Sequence, residues 1–110
     1  RRYSDIIEIA KDQIRKTYMS DEISLNTIAA EVGMSPSYFS SIFSKEMGKT
    51  FVEYLTEIRM DRAKELLMCS SMKTSEIGYE VGYKDPHYFS YIFKKTQNCT
   101  PKEFRARGKE

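Results

Sequence analysis

The sequence has little of what enzymes and secreted scaffolds are built from. It holds one histidine, His87, and two cysteines, Cys69 and Cys99, in 110 residues. Two cysteines are too few for a disulfide-stapled scaffold and lack the paired spacing of a zinc site. Both are read as reduced, partly buried thiols, and neither a metal nor a cofactor is expected. A lone histidine leaves little acid–base machinery. There is no Gly-x-Ser-x-Gly elbow, no His-Glu-x-x-His pair and no glycine-rich phosphate loop, so the chain is not read as an enzyme. No stretch approaches the roughly 18–20 consecutive apolar residues that cross a bilayer, and Arg1-Arg2-Tyr3-Ser4 is not followed by a signal-peptide core. The expectation is a soluble, cytoplasmic protein with no membrane partner, and a first residue Arg1 rather than Met suggests a domain of a longer chain.

Neither sign of charge predominates: 18 Lys/Arg stand against 16 Asp/Glu, for a formal net charge of +2. That alone does not argue for nucleic acid. Its distribution says more: residues 1–50 balance seven Lys/Arg against seven Asp/Glu, whereas residues 84–110 carry seven Lys/Arg against three. The basic excess (Lys84, Lys94, Lys95, Lys102, Arg105, Arg107, Lys109) suits either a phosphate-facing surface or a solvated tail.

What is present is helical periodicity, with no sustained strand-like alternation, and the fold class read from it is all-α. A first helix is expected from Ser4, as a capping hydroxyl, to about Thr17, with Ile7, Ala10 and Ile14 inward. A second opens at Ser24 and stops at Gly33. The third begins at Ser35-Pro36, with proline at the first helical position, buries Phe39, Ile42 and Phe43, and ends near Gly48. Thr50-Phe51-Val52-Glu53 forms a capping box that launches a long helix over about 51–69, with Leu55, Ile58, Ala63, Leu66 and Leu67 as core positions.

The chain then repeats itself. Ile28, Glu31, Val32 and Gly33 recur 49 residues later as Ile77, Glu80, Val81 and Gly82. After one inserted residue, Pro36, Tyr38, Phe39, Ser40, Ile42, Phe43, Lys45 and Thr50 recur 50 residues later as Pro86, Tyr88, Phe89, Ser90, Ile92, Phe93, Lys95 and Thr100. Such a period reveals architecture that local propensity misses. The second copy therefore has a helix near 74–81, a turn Gly82-Tyr83-Lys84, a helix capped by Asp85-Pro86 to about Thr96, and a closing helix from the capping box Thr100-Pro101-Lys102-Glu103.

Each copy is a short helix, a glycine-containing turn and a second helix with a deliberate cap, which is the layout of a helix-turn-helix. About seven helices result: a first unit near 5–49, a linker helix near 51–69 and a second unit near 73–107. A helix of about 20 residues spans roughly 30 Å, close to the roughly 34 Å between successive major grooves on one face of B-DNA. The dimensions suit recognition helices at about 36–46 and 86–96 entering successive grooves.

The sequence resembles the C-terminal DNA-binding domain of the arabinose-regulator (AraC/XylS) family of bacterial transcription regulators. The resemblance rests on Ile28-Ala29-x-x-Val32-Gly33-Met34-Ser35-Pro36-Ser37-Tyr38-Phe39-Ser40-Ser41-Ile42-Phe43, on Ile58-Arg59-Met60-x-Arg62-Ala63-x-x-Leu66-Leu67, on Ile77-Gly78-x-x-Val81-Gly82-Tyr83-x-Asp85-Pro86-x-Tyr88-Phe89-Ser90-x-x-Phe93-Lys94-Lys95, and on Thr100-Pro101-x-Glu103-Phe104-Arg105. The Tyr-Phe-Ser recognition helices resemble those of YesN-type two-component response regulators. The resemblance implies a monomeric domain in the bacterial cytoplasm, at the nucleoid, whose partners are double-stranded DNA and RNA polymerase; the full-length protein could dimerise through another domain. Three positions depart from the family pattern. Gly78 replaces the usual alanine, which should soften its helix by about 1 kcal/mol. Asn98 replaces a glycine, and Ser41 stands where a longer side chain is frequent.

The N-terminal part of the second helix of each unit meets base edges. The candidate base-contacting residues are accordingly Ser37, Ser40 and Ser41 in the first unit and His87, Ser90 and Tyr91 in the second. More specificity is expected of the second set, because serine hydroxyls discriminate bases poorly. Candidate phosphate contacts are Lys45, Lys84, Lys94, Lys95 and Arg105, with the helix starts at Thr50 and Thr100. Phe39, Phe43, Phe89 and Phe93 are read as core and Arg59 and Arg62 as scaffold ion pairs, while Tyr38 and Tyr88 are read as packed rings whose hydroxyls can still reach a phosphate. The rival reading is a helical protein-interaction module, which would bind with little dependence on salt. An RNA-binding role lacks an exposed aromatic sheet motif.

Overall fold

A computed structural model describes residues 2–108; Lys109, counted above in the basic excess, lies outside them. Seven helices make up the regular structure of the described residues: α1 (Arg2–Thr17), α2 (Leu25–Glu31), α3 (Pro36–Met47), α4 (Phe51–Cys69), α5 (Thr74–Glu80), α6 (Pro86–Gln97) and α7 (Pro101–Gly108). None is long and apolar enough to cross a membrane.

Most starts are set by side chains that engage otherwise orphaned amides. The Ser24 hydroxyl accepts from the Thr27 N–H while the Thr27 hydroxyl accepts from the Ser24 N–H, a reciprocal box made by two hydroxyls. Ser35 caps α3 by accepting from Tyr38 N–H at 3.3 Å, and Asp85 caps α6 by accepting from His87 N–H at 2.9 Å, each followed by proline at the first position. The boxes at Thr50/Glu53 and Thr100/Glu103 are complete in both directions. α1 departs from expectation. It is already helical at Arg2, and Ser4, inside it, donates to a Glu46 carboxylate oxygen at 3.2 Å on α3 instead of capping a local amide.

The chain separates into two compact units, one formed by residues up to Tyr18 and Glu22–Ile58, the other by Met19–Asp21 and the residues from Arg59 onward. The boundary falls inside α4. In the first unit Ile7, Ala10 and Ile14 of α1 close over Ile28, Ala29, Phe39, Ile42 and Phe43, with Phe51, Tyr54 and Leu55 from the start of α4. Phe43 sits at the centre, its ring 5.6 to 6.0 Å from those of Phe39, Phe51 and Tyr54. In the second unit Met60, Ala63 and Leu67 of α4 pack with Ile77, Val81, Phe89, Phe93 and Cys99, and Phe104 closes on Phe93 at 5.8 Å. Of the α4 positions expected to be core, Leu55, Ala63 and Leu67 are buried, whereas Ile58 and Leu66 are only half-buried. Cys69 is exposed because it ends the helix beyond the core, which corrects its reading as partly buried; Cys99 is buried.

Arg59 is the buried charged residue of the second unit, at 8% exposure. It donates to the Ser20 carbonyl at 2.9 Å and lies over the Tyr83 ring, 4.8 Å from its centroid. Arg62 pairs with Glu65 at 2.7 Å, as expected for a scaffold residue.

α3 and α6 end alike, on Gly48 and Asn98, both left-handed with φ of 72° and 64°. Asn98 thus does in the second unit the work of Gly48 in the first, since asparagine tolerates this conformation better than other side chains.

Candidate nucleic-acid interface

α3 and α6 each turn one face wholly inward and leave the other to solvent. On α6, Phe89 and Phe93 are completely buried. The opposite face carries His87, Tyr91 and Lys94 at i, i+4 and i+7, all exposed, with the half-buried Ser90 and the exposed Lys95 flanking them. Residues at this spacing share one helix face, so the stripe is contiguous. On α3 the same positions are Ser37, Ser41 and Ser44, with Ser40 half-buried and Lys45 exposed. All six sequence-predicted base-contacting residues thus lie on the two second helices, away from the phenylalanine faces. The second unit presents imidazole, phenol and ammonium where the first presents only hydroxyls.

Tyr38 and Tyr88 are half-exposed and pack differently. The Tyr38 hydroxyl is hydrogen-bonded to that of Tyr3, and the two rings meet edge-on at 6.1 Å. Tyr88 lies against Tyr83 at 5.7 Å and Tyr91 at 6.2 Å. Tyr83 stands in the turn where the first unit has Met34, and sequence comparison of the halves holds that signal.

The phosphate candidates divide. Lys45, Lys94 and Lys95 are exposed. Lys84 is exposed and pairs with Asp21 at 3.2 Å, a contact worth little in water. Thr50 and Thr100 have other partners: each backbone N–H donates to the glutamate three residues on, and each hydroxyl accepts that glutamate's N–H. A carboxylate therefore already stands at both helix starts. Arg105 donates from Nε to the Leu67 carbonyl at 3.0 Å and from an Nη to the Ser70 carbonyl at 3.2 Å, satisfying acceptors at the open end of α4. Replacing Arg105 by alanine is expected to cost about 1–2 kcal/mol of stability, with the salt dependence of DNA binding unchanged. Chemical denaturation and binding titrations at several salt concentrations check the two halves of that expectation.

The Glu103 carboxyl is held below the ordinary glutamate range, chiefly by the Thr100 backbone N–H, then by the Thr100 side chain. A depressed folded-state pKa means that the box stabilises α7 at neutral pH, and that this is lost as acid takes the pH from the ordinary glutamate value down through the depressed one. An NMR titration of Glu103 should show the lowered midpoint, and Thr100→Ala should raise it.

Together the capped pairs α2–α3 and α5–α6, each with a second helix buried on one face and polar on the other, define a domain of two helix-turn-helix units. A family model described as a helix-turn-helix domain matches residues 28–107. The chain belongs to the AraC-type helix-turn-helix family. It is similar, at 36% identity over 91% of its length, to an uncharacterized HTH-type transcriptional regulator encoded in the cgkA 5′ region of Pseudoalteromonas carrageenovora, 58% of which it covers. It is 40% identical over 67% of its length to the uncharacterized transcriptional regulatory protein YesN of Bacillus subtilis, covering 21% of that protein. The chain thus spans between a fifth and three-fifths of these curated relatives. Among solved structures, the C-terminal domain of AraT, a response regulator from Geobacillus stearothermophilus, superposes with a TM-score of 0.93 at 36% identity, over 97% of this chain and 88% of that one.

Proposed function

We propose that this chain is the sequence-specific DNA-binding output domain of a bacterial transcription regulator, with α3 and α6 entering successive major grooves. The observation that carries this is the α6 face, where His87, Tyr91 and Lys94 stand exposed opposite two fully buried phenylalanines. In this reading His87, Ser90 and Tyr91 meet base edges in one groove, and Ser37, Ser40 and Ser41 meet the other, where hydroxyls serve bases and phosphates equally. Lys45, Lys84, Lys94 and Lys95 contact phosphates. Thr50, Thr100 and Arg105 belong to the scaffold, since their polar groups are engaged by Glu53, Glu103 and the end of α4. The whole protein is read as a YesN-type response regulator of the bacterial cytoplasm, with RNA polymerase as the partner of a domain that binds DNA as a monomer.

Four lysines on phosphates imply that log K falls against log salt with a slope of roughly −3 to −4. Fluorescence anisotropy of a labelled duplex titrated with the chain at several salt concentrations tests this. Loss of either Lys94 or Lys95 should flatten the slope by about one. Affinity indifferent to salt would instead favour a helical protein-interaction module.

A further inference from the structure

One exposed ring on α6 is held in place by a run of neighbours that reaches back into the core. Arg59, itself buried, lies over the Tyr83 ring at 4.8 Å. Tyr83 also touches Phe89, which is fully buried, at 5.9 Å, so the base of the run is anchored. From Tyr83 the rings step outward to Tyr88 at 5.7 Å and to Tyr91 at 6.2 Å. The Lys95 ammonium stands 5.8 Å from the Tyr91 centroid on the next turn. Tyr91 is nevertheless 58% exposed. The first unit has no counterpart of this run, because Met34 and Ser41 occupy the places of Tyr83 and Tyr91.

A ring already restrained before binding loses little rotamer freedom when it docks. Its carbon edge is apolar, and the major groove offers one apolar feature, the 5-methyl group of thymine. Building on the reading of α6 as a recognition helix, we propose that Tyr91 reads a thymine 5-methyl group in the half-site of the second unit, and that Tyr88 and Tyr83 are its positioning residues. The phenol oxygen has no part in this discrimination, which belongs to the ring. Specificity at that base pair then depends on side chains, Tyr88 and Tyr83, that need not touch it.

The test is uracil-for-thymine scanning of a duplex selected by this chain from a random pool, because uracil lacks only the methyl group. At one or two thymines of one half-site, uracil should weaken binding about fourfold, the worth of one buried methyl. Tyr91→Phe should keep that penalty and Tyr91→Ala should abolish it. Tyr88→Ala should shrink it, with restoration in Tyr88→Phe, which a merely structural loss would not produce. Both tyrosines are about half-exposed, and an unchanged circular dichroism spectrum and melting temperature verify the fold of each variant. Specific binding indifferent to uracil at every thymine overturns the proposal alone, as does a penalty that persists in Tyr91→Ala. Absence of any sequence preference overturns the DNA-reading function and this proposal with it.

Discussion

Phe89→Ala is expected to destabilise the second unit by about 3–5 kcal/mol, the range for truncating a buried phenylalanine. The site is closed on all sides. Phe89 has no solvent exposure, its ring lies 6.0 Å from Phe93 and 5.9 Å from Tyr83, and a Cβ built on Gly78 would come within 3.1 Å of its side chain. Gly78 therefore has a packing reason: alanine there would gain helix propensity but press on a ring that cannot easily yield. With domain stabilities of about 5–15 kcal/mol, the loss should leave the variant near its unfolding threshold at room temperature. Chemical denaturation followed by circular dichroism measures it, and hydrogen exchange should localise the loss of protection to α5–α7. A loss below about 1 kcal/mol would mean that the helices collapse onto the vacated volume and that the second unit's core does not depend on this ring.

His87→Ala and Tyr91→Ala are each expected to weaken binding to a selected duplex by about 1–3 kcal/mol while leaving binding to random duplex nearly unchanged. Both residues are exposed on the outer face of α6, and neither contributes to the second unit's core, so the effect is on reading and not on folding. Anisotropy titrations of the two duplexes in parallel give the ratio directly. Equal losses on both would remove that residue from base recognition. The corresponding serines of α3 should show smaller ratios, because a hydroxyl can donate to one base edge and accept from another.

Helix starts were the most legible feature of the sequence. Ser24, Ser35, Thr50, Asp85 and Thr100 all sit where their hydrogen bonds require, since a cap depends on two or three neighbouring residues and nothing remote. Ser4 is the exception, and its partner explains why: Glu46 lies 42 positions along the chain, beyond any local rule. The phenylalanine core was legible from i, i+4 spacing and its repetition. α4 was not, because one apolar stripe is assumed for a helix that serves two cores. Phe51, Tyr54 and Leu55 belong to the first, and Met60, Ala63 and Leu67 to the second, so the buried positions change register near Ile58. Arg59 falls at that change; it is a scaffold residue as read, but its described partners are the Ser20 carbonyl and the Tyr83 ring, which lie too far along the chain for sequence spacing to reveal. The outward residues of α3 and α6 followed from subtracting the core positions. The intramolecular partners of Arg105 were not legible, because a basic residue looks the same in sequence whether or not a neighbouring group already engages it; those of Thr50 and Thr100 were, as capping boxes.

On the proposed function, both units of this chain bear on the sequence of duplex DNA. Selection of duplexes of about 20 base pairs from a random pool by the chain itself, at two salt concentrations, with sequencing of the bound fraction, tests it most directly. The expected result is enrichment of two short motifs about one helical turn apart, the sharper one lost in His87→Ala. A bound fraction with no enriched motif at either salt concentration would contradict it.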